Sequence, residues 1–407
     1  MSDRKLSSTP SPTVTTARNR LRQLMPVAKQ YAYFDHAAVA PLPTPAVAAI
    51  TTYAQQASQQ GDVPWPSWSA GVAALRSTAA KFIGADNDEV ALVNNTTQGI
   101  GLVAEGYPWQ AGDNVVIPDN EFPSNALPWS ALARRGVELR RVPVGPSGKL
   151  ELSRLEDAID GRTRIVSVSW VGFASGFRID VGEVAELVHR HGALFMLDAI
   201  QGLGAFPIDV RATHVDFLCA DGHKWLLGPE GAGILYIRAE HLDRLQPLGI
   251  GWNSLAASGF DPHSQQLKTS AARYEGGSTN MPGMLGFGAS FQLLSELHQD
   301  AGGSDAASPI AQSVLYNVAS LAEQLRSADF SVNVPAEPRH QSGIVGINWG
   351  TSAVDESQLI AARKHCLAAG VVLSVRGGRV RASAHAYNDA EDIQRLVTAL
   401  KEFRDRS

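Results

Sequence analysis

The chain has 407 residues, 44% hydrophobic and 18% charged, with a formal net charge of −5. That length exceeds one ordinary core, so two domains are expected. The charge balance excludes a basic footprint for nucleic acid or an anionic membrane, and no apolar run approaches a membrane span.

Two cysteines, Cys219 and Cys366, exclude a disulfide framework, and a cytoplasmic location is expected. Residues 1–24 read as a disordered tail: they are rich in Ser, Thr and Pro and lack the apolar core of a secretory signal.

Ala32 to Pro41 is a short strand running into small residues, a domain-entry turn. Thr44 and Pro45 read as the N-cap and first residue of a helix reaching Gln60. Val63 to Trp68 breaks that pattern, with Trp65 and Trp68 packing, and a second helix runs from about Ser69 to Ile83. Glu89–Asn94 is a strand, and Asn95-Thr-Thr-Gln opens the next helix. A hydroxyl pair there, Thr96 and Thr97, suits an anion, since free N–H groups and the helix dipole point at it; an ordinary N-cap uses the same residues.

Asp113–Pro118 is the following strand and delivers Asn120-Glu-Phe-Pro-Ser-Asn125. Strands at Val137–Val144 and Arg164–Val171 alternate with helices at Ser153–Asp160 and Val181–His191. A further strand ends at Asp198, and apolar runs at Val215–Ala220 and Gly233–Ile237 flank a Gly-rich turn carrying His223 and Lys224. Such alternation implies a largely parallel sheet. After a looser segment, Gly249 to Lys268, and a loop at Arg273–Asn280, a helix spans Met281 to about His298. Asp300–Ser308 is a loop. A small α+β unit follows, with helices at Ile310–Ser327, Glu356–Ala369 and Asp389–Phe403 and a strand at Gly343–Trp349.

Lysines in Gly-rich loops are usually solvated. Lys224 differs because it lies between two buried strands, and the preceding strand delivers Asp198 to the end of the sheet where open α/β folds place ligands. Burial lowers a lysine's pKa, and a neutral amine attacks carbonyls. Pyridoxal phosphate needs both groups, a lysine for its aldehyde and an Asp for its pyridinium nitrogen.

Asp198-Ala-Ile-Gln201 followed by Gly222-His-Lys224 resembles the class V aminotransferase group of fold-type I pyridoxal phosphate enzymes, over roughly Phe34 to Phe403. This resemblance implies an α/β fold with a mainly parallel seven-stranded sheet, in a large domain at 25–300 and a small C-terminal α+β domain at 301–407. Its N-terminal segment, 25–60, is free to pack with the small domain. It also implies pyridoxal 5'-phosphate bound through Lys224. Asp198 would protect the ring-nitrogen proton, Gln201 would reach the phenolic oxygen and Phe122 would stack on the ring. Thr96, Thr97 and His223 would hold the phosphate, with Ser278 reaching that of a partner subunit in a homodimer. Arg381 would anchor the carboxylate of an amino-acid substrate, with Arg376 and His36 as further pocket candidates. No metal ligand set is implied.

Four positions depart from the cysteine desulfurases within that group. Phe122 replaces a proton-transferring histidine, Trp170 replaces an asparagine and implies a bulkier pocket, and Asp221 replaces a phosphate-binding serine. Only four residues separate Arg376 from Arg381, where those enzymes carry a long loop with a reactive cysteine. The Glu121-Phe-Pro-Ser-Asn125 and Asp221-Gly-His-Lys-Trp225 variants are most similar to the isopenicillin N epimerase-like branch. The expectation is therefore chemistry at an amino acid's α-carbon, by an epimerase or aminotransferase. The alternatives are a β-eliminating C–S or selenocysteine lyase without a persulfide cysteine, and a non-catalytic cofactor-binding regulator of the same fold.

Overall fold

The computed structural model describes residues 10–256, 266–299, 301–349 and 354–406. Part of the expected tail, part of the 249–268 segment and the first residue of the 300–308 loop lie outside them.

Seven strands form the central sheet: Val90–Val93 (β1), Asn114–Pro118 (β2), Glu138–Val142 (β3), Thr163–Ser169 (β4), Leu194–Asp198 (β5), Phe217–Asp221 (β6) and Gly233–Ile237 (β7). Their order is β1-β7-β6-β5-β4-β2-β3. Every neighbouring pair is parallel except those of β7, which runs against both β1 and β6. The connection Gly222–Ala232 is too short for a crossover helix, so β7 must reverse direction.

Successive residues of a strand face opposite sides. In β2, Val115 and Ile117 join one apolar cluster and Val116 the other. Both faces are therefore covered, as a parallel sheet requires. The six codirectional strands bring their C-terminal ends to one edge, with Asp198 at the end of β5 and Thr96, Glu121 and Lys224 just beyond β1, β2 and β6.

The C-terminal part has its own antiparallel sheet, ordered Ser374–Arg376, Arg379–Ser383, Ile344–Asn348 and Ser331–Asn333. Helices Pro309–Ser327, Glu356–Ala368 and Ala390–Arg404 contribute to a separate apolar cluster that includes Leu321, Ile347 and Leu396. Phe34 belongs to this cluster, and Ala32–Tyr33 pairs in parallel with Val371–Val372.

Two expectations are corrected. The part of the expected tail that is described is ordered, because Pro12–Gln23 is a helix. Its Val14, Ala17 and Leu21 are buried at helical spacing, and Arg22 reaches Asp389 at 2.9 Å and Asp392 at 2.7 Å. The helix expected from Ser69 begins at Trp65, since Pro66 is tolerated in a first turn. Trp68 is buried against Tyr53 and donates from Nε1 to Gln56 Oε1 at 2.8 Å, tying this helix to Thr44–Gln60.

Candidate active site

Asn95 caps the helix Thr96–Gly106, its side chain accepting the Gln98 N–H at 2.8 Å. Gly99 lets that helix start lie on β6, because a Cβ there would collide with Cys219 Sγ. Thr96 Oγ1 is buried without a hydrogen-bond partner among the described residues, and Thr97 Oγ1 donates to Ser124 Oγ at 2.8 Å.

Asp198 ends β5, buried, with Oδ1 accepting the Ile200 N–H at 3.1 Å. Burial pushes its carboxyl up to about 6, opposed by that hydrogen bond and by Lys224. Lys224 sits in the tight turn after β6, where the Gly228 N–H reaches the Gly222 carbonyl at 2.7 Å and Leu227 adopts φ 55°. That φ is strained for a bulky residue and marks an over-determined turn. Burial pulls the Lys224 ammonium down to about 8, with Asp198 acting the other way. Its Nζ lies 5.5 Å from the centroid of the Phe122 ring. Phe122 meets Phe173 edge to face at 5.2 Å.

Arg381 is 2% exposed. Nη1 donates to the Phe173 carbonyl at 2.7 Å, Nε to Ser374 Oγ at 3.1 Å and Nη2 to Asp35 Oδ1 at 3.4 Å. Three of its five N–H groups are thus fixed, and the rest remain for a carboxylate. Gln201 donates from Nε2 to the Ala37 carbonyl at 2.9 Å and accepts from Trp225 Nε1 at 2.8 Å.

These elements enclose a cavity of about 490 Å³. Its wall brings together nine expected residues: Thr96, Thr97, Phe122, Asp198, Gln201, His223, Lys224, Arg376 and Arg381. Two are elsewhere. His36 is fully buried behind the wall, held by the Ser383 carbonyl and the Tyr387 hydroxyl, while its neighbours Ala37 and Ala38 line the cavity. Ser278 is exposed and outside the cavity. Trp170 does not narrow the pocket either: its ring covers Gly202, where a Cβ would strike it, and it is absent from the cavity wall. Phe173, Ser124 and Glu230 also line the cavity and were not anticipated. Only tertiary proximity distinguishes them.

Asp221 is buried in the wall. Its Oδ1 lies 2.9 Å from His223 Nδ1, but the two are not aligned as a hydrogen bond. The His223 side chain faces the carboxylate that would otherwise repel an anion. The Thr96 hydroxyl, without a hydrogen-bond partner among the described residues, and the His223 ring, beside a helix N-terminus, form a donor set suited to a phosphate.

The aminotransferase class-V family model matches residues 32–396. A probable cysteine desulfurase of Methanothermobacter thermautotrophicus is 32% identical over 404 residues, covering 94% of this chain and 97% of that protein. A cysteine desulfurase of Escherichia coli O8 is 32% identical over 340 residues, covering 80% and 81%. Among solved structures, the apo cysteine desulfurase of Thermococcus onnurineus NA1 covers both chains fully, with a TM-score of 0.83 at 24% identity. The cystine C-S lyase C-DES, complexed with its product cysteine persulfide, covers 93% of this chain and 99% of its own, with a TM-score of 0.82 at 23% identity. These two share the fold.

Proposed function

Because this chain belongs to the class-V aminotransferase family, we propose that it is a pyridoxal-phosphate-dependent lyase. It would cleave the C–S bond of a sulfur-bearing amino acid by β-elimination, without a protein persulfide. The names of its relatives direct the substrate class. The observation that carries the reading is the placement of both thiols. Cys219 is fully buried with Sγ toward the Thr96 carbonyl, and burial pushes its thiol up. Cys366 is fully buried in the C-terminal cluster and pushed up to about 12. A sulfur acceptor needs an accessible thiolate. The turn between strands Ser374–Arg376 and Arg379–Ser383 is only Gly377-Gly378, both at positive φ.

The residues present fit the cofactor. When bound, it supplies an aldehyde that takes up amines and a ring that accepts the electron pair left at the substrate's α-carbon. The helix start at Thr96, with Thr97 and His223, would hold the phosphate, and Asp198 would keep a proton on the ring nitrogen. Phe122 would cover the ring and exclude water. Arg381 would take the substrate carboxylate in an orientation set before binding. Lys224, whose ammonium burial pulls down to about 8, would remove the α-proton in its deprotonated form.

The test is product analysis with L-cystine and S-substituted cysteines. Wild type and the double variant Cys219→Ala, Cys366→Ala should release pyruvate at rates within about twofold of each other, whereas a persulfide-forming enzyme releases alanine. Loss of turnover in the folded double variant sinks the reading. A second reading, epimerase or aminotransferase, is favoured by Phe122, which has no proton to give a leaving sulfur. It would take over if no sulfur amino acid yields pyruvate while α-hydrogen exchange with solvent persists.

The same reading makes the active form a homodimer, with exposed Ser278 serving the partner's phosphate site. Sedimentation should give twice the chain mass; a monomer with full cofactor occupancy would rule this out.

A further inference from the structure

Behind the lysine turn, three segments distant in sequence meet in a buried column of rings. Trp225, next to Lys224, stacks on His385 with centroids 5.7 Å apart, and His385 stacks on Tyr387 at 5.9 Å. His36 lies across the column, 5.2 Å from each of the His385 and Tyr387 rings. All four side chains are shut away from solvent.

The hydrogen bonds fix both tautomers. His385 Nδ1 accepts the Ala386 N–H at 2.8 Å, so Nε2 carries the proton and donates it to the Trp225 carbonyl at 3.1 Å. His36 Nδ1 donates to the Ser383 carbonyl at 3.0 Å, and its Nε2 accepts from the Tyr387 hydroxyl at 2.8 Å. Burial keeps both rings neutral: His385 is pushed down to about 4, and His36 lies well below its usual value. Ser383 ends the strand that carries Arg381, and His385 follows two residues later.

We propose that His385, braced by Tyr387 and His36, is a positioning residue for Lys224. Its Nε2–H locks the lysine turn to the strand of Arg381 and so fixes the separation between the amine and the carboxylate anchor. This rests on Lys224 being the cofactor-bearing base. Without the His385 donor, the Trp225 carbonyl is left buried and unpaired, and the turn is driven toward water. Lys224 then loses the burial that lowers its pKa. The charges facing it, Asp198 and Asp221 against Arg376 and Arg381, are untouched by a change at His385, so a shift in its titration reports geometry.

The experiment compares His385→Met, which loses the donor, with His385→Gln, which keeps an N–H. In cofactor-free full-length protein, the pH dependence of Lys224 trinitrophenylation is read by peptide mass mapping. The midpoint should rise by at least about 0.5 unit in His385→Met and return to within about 0.2 unit of wild type in His385→Gln. In the loaded enzyme, kcat should fall about tenfold in His385→Met, with recovery in His385→Gln. A folded His385→Met protein with a wild-type midpoint overturns the proposal. Should His385→Met fail to fold, Tyr387→Phe decides: a smaller rise in midpoint supports the column, and an unchanged one overturns it. Borohydride reduction of the wild type separates the two readings. Label on another lysine refutes the role of Lys224 itself, while label on Lys224 with an unmoved midpoint refutes only the column.

Discussion

Replacing Lys224 with alanine is expected to abolish covalent attachment of the cofactor and to lower turnover on the order of 10⁴-fold. Under the proposed mechanism two functions would be lost together, the amine that fixes the aldehyde and the base that removes the α-proton. Borohydride should fix the cofactor to Lys224 in wild type and to nothing in the variant. The proposed phosphate donors around Thr96 and His223 survive the change, so the variant should still bind the cofactor reversibly. There is also an electrostatic signature. The Lys224 charge helps hold the Asp198 carboxyl down, so Asp198 should titrate at higher pH in the variant than in wild type. Full activity in Lys224→Ala would defeat the assignment of the site.

Replacing Asp198 with asparagine should separate stability from activity. In the cofactor-free protein, burial lifts the carboxyl from 3.8 to about 6. The folded value lies above the unfolded one. The associated stability is therefore fully present below about pH 3.8 and lost as pH rises through about 6. At pH 8 the buried carboxylate costs on the order of 3 kcal/mol. Asparagine escapes that cost, so cofactor-free Asp198→Asn should melt at or above the wild-type temperature at pH 8. Its stability should also vary less between about pH 4 and pH 7. With cofactor bound the order reverses, because asparagine cannot hold a proton on the ring nitrogen, and turnover should fall about 10²- to 10³-fold. Calorimetry with and without cofactor, beside steady-state rates, checks both halves. A variant with wild-type turnover would remove Asp198 from its role.

Much of the architecture was legible because periodicity and side-chain chemistry agreed. The helix Met281–His298 has the bounds its pattern implied, and β7 occupies the expected Gly233–Ile237. Asp198 and Lys224 could be paired because each follows an apolar strand and strand ends converge. Side-chain direction was not legible. His36 and Ala37 are adjacent in the chain, yet only Ala37 lines the cavity, since His36 is drawn inward by Ser383 and Tyr387. Trp170 could not be placed without knowing that Gly202 leaves room beneath it. Phe173 contributes a carbonyl to Arg381, a role that depends on no feature of its side chain. The N-terminal helix was hidden by Ser/Thr/Pro-rich composition, although Val14, Ala17 and Leu21 carried its spacing. The division near residue 300 remains our proposal for the domain boundary, with the qualification that Phe34 packs in the C-terminal cluster.

The pairing of Ala32–Tyr33 with Val371–Val372 bears on how the chain is made. The two partners are separated by more than three hundred residues, so this contact has nearly the greatest sequence span the chain allows. Translation at about 5–20 residues per second places roughly 20–70 s between them. For that interval the segment around Phe34 is outside the ribosome with no sheet to join, while β1 through β7 are completed. The large sheet can close during synthesis, whereas the C-terminal cluster cannot form before the last tenth of the chain appears. This long-range pairing is thus left to a late step. A chaperone bound to the emerging N-terminal segment would guard the part of the chain that waits longest.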